Sequence, residues 1–129
     1  MNDLLETKKL GNAGEIFVVK HLQQQGFTLC AQNYRQFFGE VDIIACKKNL
    51  YIFVEVKTRK SDAMPMGNLI SPSKQTKIIK TAQTFIATNQ LGGNHVCRFD
   101  VALLIKNDTN FSMQYIENAF TKAESDYGY

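Results

Sequence analysis

Cysteine is scarce in this 129-residue chain: Cys30, Cys46 and Cys97 lie far apart and form no C-x-x-C pair. That excludes a disulfide framework and leaves no zinc signature, so reduced thiols packed as small apolar groups are expected. No apolar run approaches the ~20 residues that span a bilayer. The N-terminus lacks the apolar core of a secretory signal. The expectation is a cytoplasmic protein with no membrane partner. Internal repeats and low-complexity tracts are missing as well. A net charge of +3 is too mild to argue by itself for a polyanionic partner.

What is present suits one domain over residues 1–129, ordered to about 120, with a fraying tail from Thr121. The hydrophobic fraction of 44% and charged fraction of 21% are ordinary for a globular chain. The length is sufficient for a proper core. Charge is unevenly spread. Between residues 47 and 80, eight basic residues (Lys47, Lys48, Lys57, Arg59, Lys60, Lys74, Lys77, Lys80) face only Glu55 and Asp62, a local excess of six. The C-terminal end leans acidic. A basic region flanking an acidic centre suits a polyanion cleaved at a metal. For Lys74, Lys77 and Lys80 a solvated helix face competes with that reading.

The most informative stretch is Gly39-Glu40-Val41-Asp42-Ile43-Ile44-Ala45-Cys46, then Lys47-Lys48-Asn49, then residues 50–59, Leu-Tyr-Ile-Phe-Val-Glu-Val-Lys-Thr-Arg. Two β-branched apolar runs around a short polar turn predict a β-hairpin. A two-residue loop at Lys48-Asn49 sets Asp42 opposite Glu55 and Glu40 opposite Lys57. Opposed residues share a face, as do residues two apart, so Asp42, Glu55 and Lys57 project from one side. A four-residue loop keeps that shared face; a three-residue loop separates Asp42. Opposed carboxylates repel, and a divalent cation between them reverses the sign. Few hard oxygen ligands suit Mg²⁺ or Mn²⁺, which keep waters and accept phosphate oxygens. Such an ion activates water for attack on a phosphodiester, with the Lys57 ammonium beside it. The alternative is a half-exposed edge on which Lys57 merely neutralises Glu55 or Glu40.

Gly-Glu-Val-Asp, twelve intervening residues and Glu-Val-Lys together resemble the PD-(D/E)xK nuclease superfamily. Asp42 fills the first acidic position, and Glu55-Val56-Lys57 fills the (D/E)xK element; Val41 stands where many such proteins have proline. The chain more closely resembles the YraN family of predicted endonucleases, akin to Holliday junction resolvases. The matching pieces are Gly11-Asn12-Ala13-Gly14-Glu15, Gly39-Glu40-Val41-Asp42, residues 53–59 and Arg98-Phe99-Asp100-Val101. This resemblance implies a restriction-endonuclease-like core and a Mg²⁺ or Mn²⁺ site. It also implies DNA as substrate, a homodimer like the paired resolvases, and Glu15 as a third acidic residue at the metal.

Along the chain, residues 3–25 predict a helix, with Leu10, Ala13, Phe17, Val18 and Leu22 at helical spacing and Gly26 as its stop. Gly11 and Gly14 suggest close approach of that helix to the sheet. Glu15 shares the face of Val18, Val19 and Leu22. His21 has no metal-spaced partner. Residues 27–31 predict a short strand. The aromatic and arginine stretch at 33–38 offers stacking chemistry, but the expectation is a packed-down loop rather than nucleic-acid contact. A breaker-rich loop follows at 60–68 and is expected to reach over the site. Ser71-Pro72 caps a second helix with Ile78, Ile79, Ala82, Phe85 and Ile86 as its core stripe. Gln75 is a candidate to approach the site, although Ile79 departs from the Gln-x-x-x-Tyr pattern of one nuclease branch. Strands at 96–105, parallel to the Glu55 strand through a right-handed crossover, and 111–116 complete an α/β domain in the order α-β-β-β-α-β-β. Asp100 is expected to pair with Arg98. The site expected is Asp42, Glu55 and Lys57 as catalytic residues, with Asp42, Glu55 and Glu15 at the metal. Arg59, Lys74 and Lys77 are candidates to touch DNA. A module that binds nucleic acid without turnover is the rival.

Overall fold

The computed structural model describes residues 2–60, 70–89, 91 and 93–121, with side chains from Leu5 onward. The elements are α1 (Asn2–Gln24), β1 (Thr28–Gln36), β2 (Gly39–Lys47), β3 (Leu50–Lys60), α2 (Pro72–Thr88), β4 (Val96–Asn107) and β5 (Asn110–Phe120). The sheet runs in chain order, β1-β2-β3-β4-β5. Only β3 and β4 are parallel; the other neighbours are antiparallel. A parallel pair needs a long crossover, and α2 lies within it. This is the expected α/β mixed sheet in the expected order. The loop expected over the site falls, from Ser61 on, outside the described residues, as does the tail from Lys122.

Each helix covers one face. Val41, Ile44, Phe53, Phe99 and Val101 pack with Ile78, Ile79, Ala82 and Phe85 of α2. Ile43, Ala45, Ile52, Val54, Ala102 and Leu104 pack with Val18 and Leu22 of α1. Residues 99–104 of β4 are therefore buried without interruption, as a strand covered on both sides must be. Asp100 is fully buried within that run. It accepts from Arg98 Nε at 2.9 Å, Tyr115 Oη at 2.6 Å and the Asn118 N–H at 2.9 Å, so its charge is fully met.

The helices end where their sequences say. Gly26 adopts φ +95°, and the Phe27 N–H returns to the Leu22 carbonyl at 3.0 Å, closing α1. Ser71 Oγ accepts the Lys74 N–H at 3.1 Å and Pro72 opens α2. Close helix–sheet approach holds for one glycine of α1 only. A Cβ on Gly14 would run into Thr58 Oγ1 and come within 3.0 Å of Leu104, whereas one on Gly11 would meet nothing within 4 Å.

Two strands exceed their expected length. β1 reaches Gln36 and pairs with β2 up to Gln36↔Gly39, so Phe37-Phe38 is a hairpin turn. Residues 33–38 are thus mostly strand, not loop. Strand alternation is hidden there by a bulge at Leu29/Ala31 and by Asn33 at φ 53°. β5 likewise continues past 116 to Phe120 through a register shift opposite Phe99/Val101.

Candidate functional site

The β2–β3 hairpin turns at Lys48-Asn49, with Lys48 at φ 57° supplying the left-handed step. Its ladder runs from Lys47↔Leu50 to Ile43↔Val54, the two-residue-loop register. The recorded pairing stops there, one position before Asp42 would face Glu55. Asp42 Oδ2 instead accepts the Val56 N–H at 2.8 Å, a carboxylate standing where a strand carbonyl would be. β3 continues to Lys60 against β4. The cleft opens where β2 and β3 part.

That cleft, about 400 Å³, collects Glu15 from α1, Glu40 and Asp42 from β2, Glu55 and Lys57 from β3, and Lys74 and Lys77 from α2. The four residues expected as catalytic or metal-binding line this one cleft: Glu15, Asp42, Glu55 and Lys57. The expected Glu40–Lys57 pairing does not form; Glu40 pairs with Arg35 at 3.1 Å, its neighbour in the β1–β2 ladder. Arg59 does not line the cleft. Gln75 turns away to the Ile70 carbonyl at 3.0 Å. The local excess of basic residues also divides in space. Lys47, at the far end of β2, donates to the Gln25 carbonyl at 2.9 Å and lies over the Phe27 ring, while Lys57, Lys74 and Lys77 stand at the cleft.

The charges press on one another. Glu55 is buried, 4% exposed. The Lys74 ammonium sits 2.5 Å from its carboxylate and that of Lys57 at 4.0 Å. Burial, and then a carboxyl–carboxylate contact with Glu55, push Asp42 up to about 8, against the pull of the Val56 N–H. Burial raises Glu15 too; the Asn33 and Gln32 side chains oppose this, and the charges of Glu40 and Glu55 add to it. One oxygen of Glu15, Oε1, is buried with no hydrogen-bond partner. Burial and the neighbouring Lys74 charge lower Lys57. For Lys74 burial acts downward, and the Glu55 contact outweighs it, leaving the ammonium favoured. Among the described residues no three His, Cys, Asp or Glu side chains stand close enough to hold an ion unaided. The Lys74 ammonium offsets the Glu55 charge, and burial beside Glu55 favours the protonated form of Asp42.

Sequence reasoning assigned Lys74 to DNA contact and missed its hold on Glu55. The signal was the cap: Ser71-Pro72 puts residue 74 in the first turn of α2, but only packing decides where that turn lands.

The description Uncharacterised protein family UPF0102 matches residues 14–104. A UPF0102 protein of Clostridium acetobutylicum is 41% identical over 116 residues, 88% of this chain and 94% of its own. The chain belongs to the UPF0102 family. A UPF0102 protein of Dictyoglomus turgidum is 38% identical over 120 residues, 90% of this chain and all of its own. One from a Synechococcus strain is 38% identical over 107 residues, 81% of this chain and 80% of its own. The UPF0102 match runs from Gly14, at the α1–β3 contact, into β4. It therefore takes in every charged residue of the cleft. The YraN likeness read from the motifs is to this same family. Among the described residues no helix is long and apolar enough to cross a membrane.

Proposed function

We propose that this UPF0102 protein is a metal-dependent endonuclease that hydrolyses phosphodiester bonds in DNA, branched or damaged DNA included. The observation that carries the reading is the set of three carboxylates, Glu15, Asp42 and Glu55, gathered in one cleft beside Lys57. Burial and the Glu55 charge raise the proton affinities of both Asp42 and Glu15, and one Glu15 oxygen is left unpartnered. A hard dication relieves that strain, so the donors fit Mg²⁺ or Mn²⁺. Asp42 and Glu55 would bind it directly, with Glu15 assisting. The ion, when bound, supplies charge neutralisation and an acidified water.

The remaining steps belong to the chain. Asp42, whose proton affinity is raised by burial beside Glu55, would hold the ion as the deprotonated carboxylate. Lys74 leaves Glu55 and becomes available, with Lys77, to a DNA phosphate. Lys57 stays beside Glu55 and orients the attacking water or neutralises the phosphorane oxygens. Its proton affinity, lowered by burial and the Lys74 charge, makes its proton easier to release than an ordinary lysine's. The cytoplasm is the proposed compartment, and a homodimer the proposed unit for a two-fold branched substrate.

The test is cleavage of branched and linear DNA with Mg²⁺ or Mn²⁺. Wild type cuts and Glu55→Gln does not; equal cutting by both overturns the assignment. One observation favours a second reading, a DNA-binding module without turnover: Lys74 already neutralises Glu55, so the cleft is charge-compensated with no ion. That reading predicts DNA binding with no cleavage and no stabilisation by Mn²⁺.

A further inference from the structure

The β1–β2 turn carries the most exposed large apolar side chain among the described residues. Phe37 is 98% exposed. Its neighbours in the same aromatic stretch are used differently. Tyr34 packs edge-on against Phe85 at 5.3 Å, inside the α2 face. Phe38 is half-buried and meets the Phe37 ring edge-on at 4.9 Å, bracing it from one side. The expected packed-down loop therefore holds for Tyr34 and fails for Phe37.

Phe37 also stands at a particular place. Gly39, two residues on, lines the cleft. A Cβ there would come within 3.0 Å of the Lys77 backbone, so the turn is seated on α2 beside its cleft lysine. An aromatic knob thus adjoins the mouth of the cleft on the side where Lys77 stands. We propose that Phe37 is a stacking platform for an unpaired nucleobase at the mouth of the cleft. The preferred substrate is then DNA with a base free to leave its stack, as at a fork, bulge or branch point, rather than uniform duplex. The inference rests on the DNA reading above and narrows its substrate class.

The chemistry selects this occupant. A single flat ring matches a base face, and every base offers one. A protein partner needs roughly 800 Å² per side, and the residues flanking this ring are Arg35, Gln36 and Glu40, with Arg35 and Glu40 already paired to each other.

The chain contains no tryptophan, so Phe37→Trp installs a single fluorescent reporter at the proposed contact. With Ca²⁺ in place of Mg²⁺, the full chain is titrated with a single strand, a three-way junction and a paired duplex of equal length. Quenching by the first two and little by the duplex is expected. Phe37→Ala should weaken binding to the single strand and junction by about 5- to 150-fold and leave the duplex unchanged, and Phe37→Leu should not restore it. Equal losses on all three DNAs, or rescue by leucine, overturn the inference. So does a change of oligomeric state on Phe37→Ala, which would make this ring a contact between copies. Wild-type cleavage that Phe37→Ala leaves unaltered on every DNA defeats the stacking role and spares the nuclease reading; cleavage insensitive to Glu55→Gln defeats the nuclease reading first.

Discussion

Asp42 is the least comfortable acid in the cleft, and its discomfort has a pH signature. Its proton affinity in the fold is raised from an ordinary carboxylate to about 8. Below the unfolded value both states are protonated and the fold keeps its full stability. Between the two values the folded state binds the extra proton, so stability falls as pH rises from about 4 to about 8. Thermal melts across that range should show the decline, and Asp42→Asn should flatten most of it. Saturating Mn²⁺ should reverse it if the ion takes the proton's place. Lys74 makes a complementary case. Its ammonium holds Glu55, so under the proposed metal reading a dication would compete with it. The Lys74 end of the pair is half-exposed and screened by solvent, so the contact is worth about 1 kcal/mol at most. Lys74→Met should then tighten Mn²⁺ binding by up to about fivefold in calorimetry; weaker binding would mean that Lys74 assists the ion. The three β-hairpin residues were legible from alternation, because period two fixes the face once the turn is fixed. Lys74 was not, because nothing local says where a helix turn meets a sheet.

Elements place these side chains, and the α1–β3 contact places Glu15. Gly14 lets the helix lie against Thr58 and Leu104, while Gly11 faces open space. The two glycines look alike in the sequence, and only the packing separates them. Gly11→Ala should stabilise the protein by about 0.5–1 kcal/mol through helix propensity alone. Gly14→Ala should destabilise it by about 1–3 kcal/mol, because the new methyl must push α1 off the strand. Urea denaturation of both variants checks this; a stabilising Gly14→Ala would mean that Thr58 simply rotates away. The shift should also carry Glu15 away from the cleft and weaken Mn²⁺ binding, which Gly11→Ala should not do. β1 was the element least visible beforehand. It is an edge strand with a bulge, and its exposed Gln32 and Asn33 blur the alternation that made β2 and β3 plain.

At the scale of the whole molecule, one buried charge ties the sheet together away from the cleft. The sequence placed Asp100 with Arg98; it did not disclose Tyr115 or the Asn118 N–H, which reach it only because β5 runs past 116 and shifts register opposite Phe99/Val101. The same groups explain why burial and Asp100 raise the Tyr115 hydroxyl's proton affinity far above a free tyrosine. Asp100→Ala strands a guanidinium only 22% exposed, a half-buried hydroxyl and a backbone donor. Uncompensated groups of this kind cost about 3–5 kcal/mol, a large share of the 5–15 kcal/mol that holds a typical domain together. Tyr115→Phe removes one hydroxyl donor to Asp100 and should cost about 1–2 kcal/mol. Both changes lie outside the cleft-lining set, so any folded fraction should bind Mn²⁺ with wild-type affinity. A cost below 1 kcal/mol for Asp100→Ala in urea unfolding would show that water or Glu117, 3.7 Å from Arg98, takes over the charge. A loss of Mn²⁺ affinity without loss of stability would move Asp100 from the frame of the sheet to the support of the cleft.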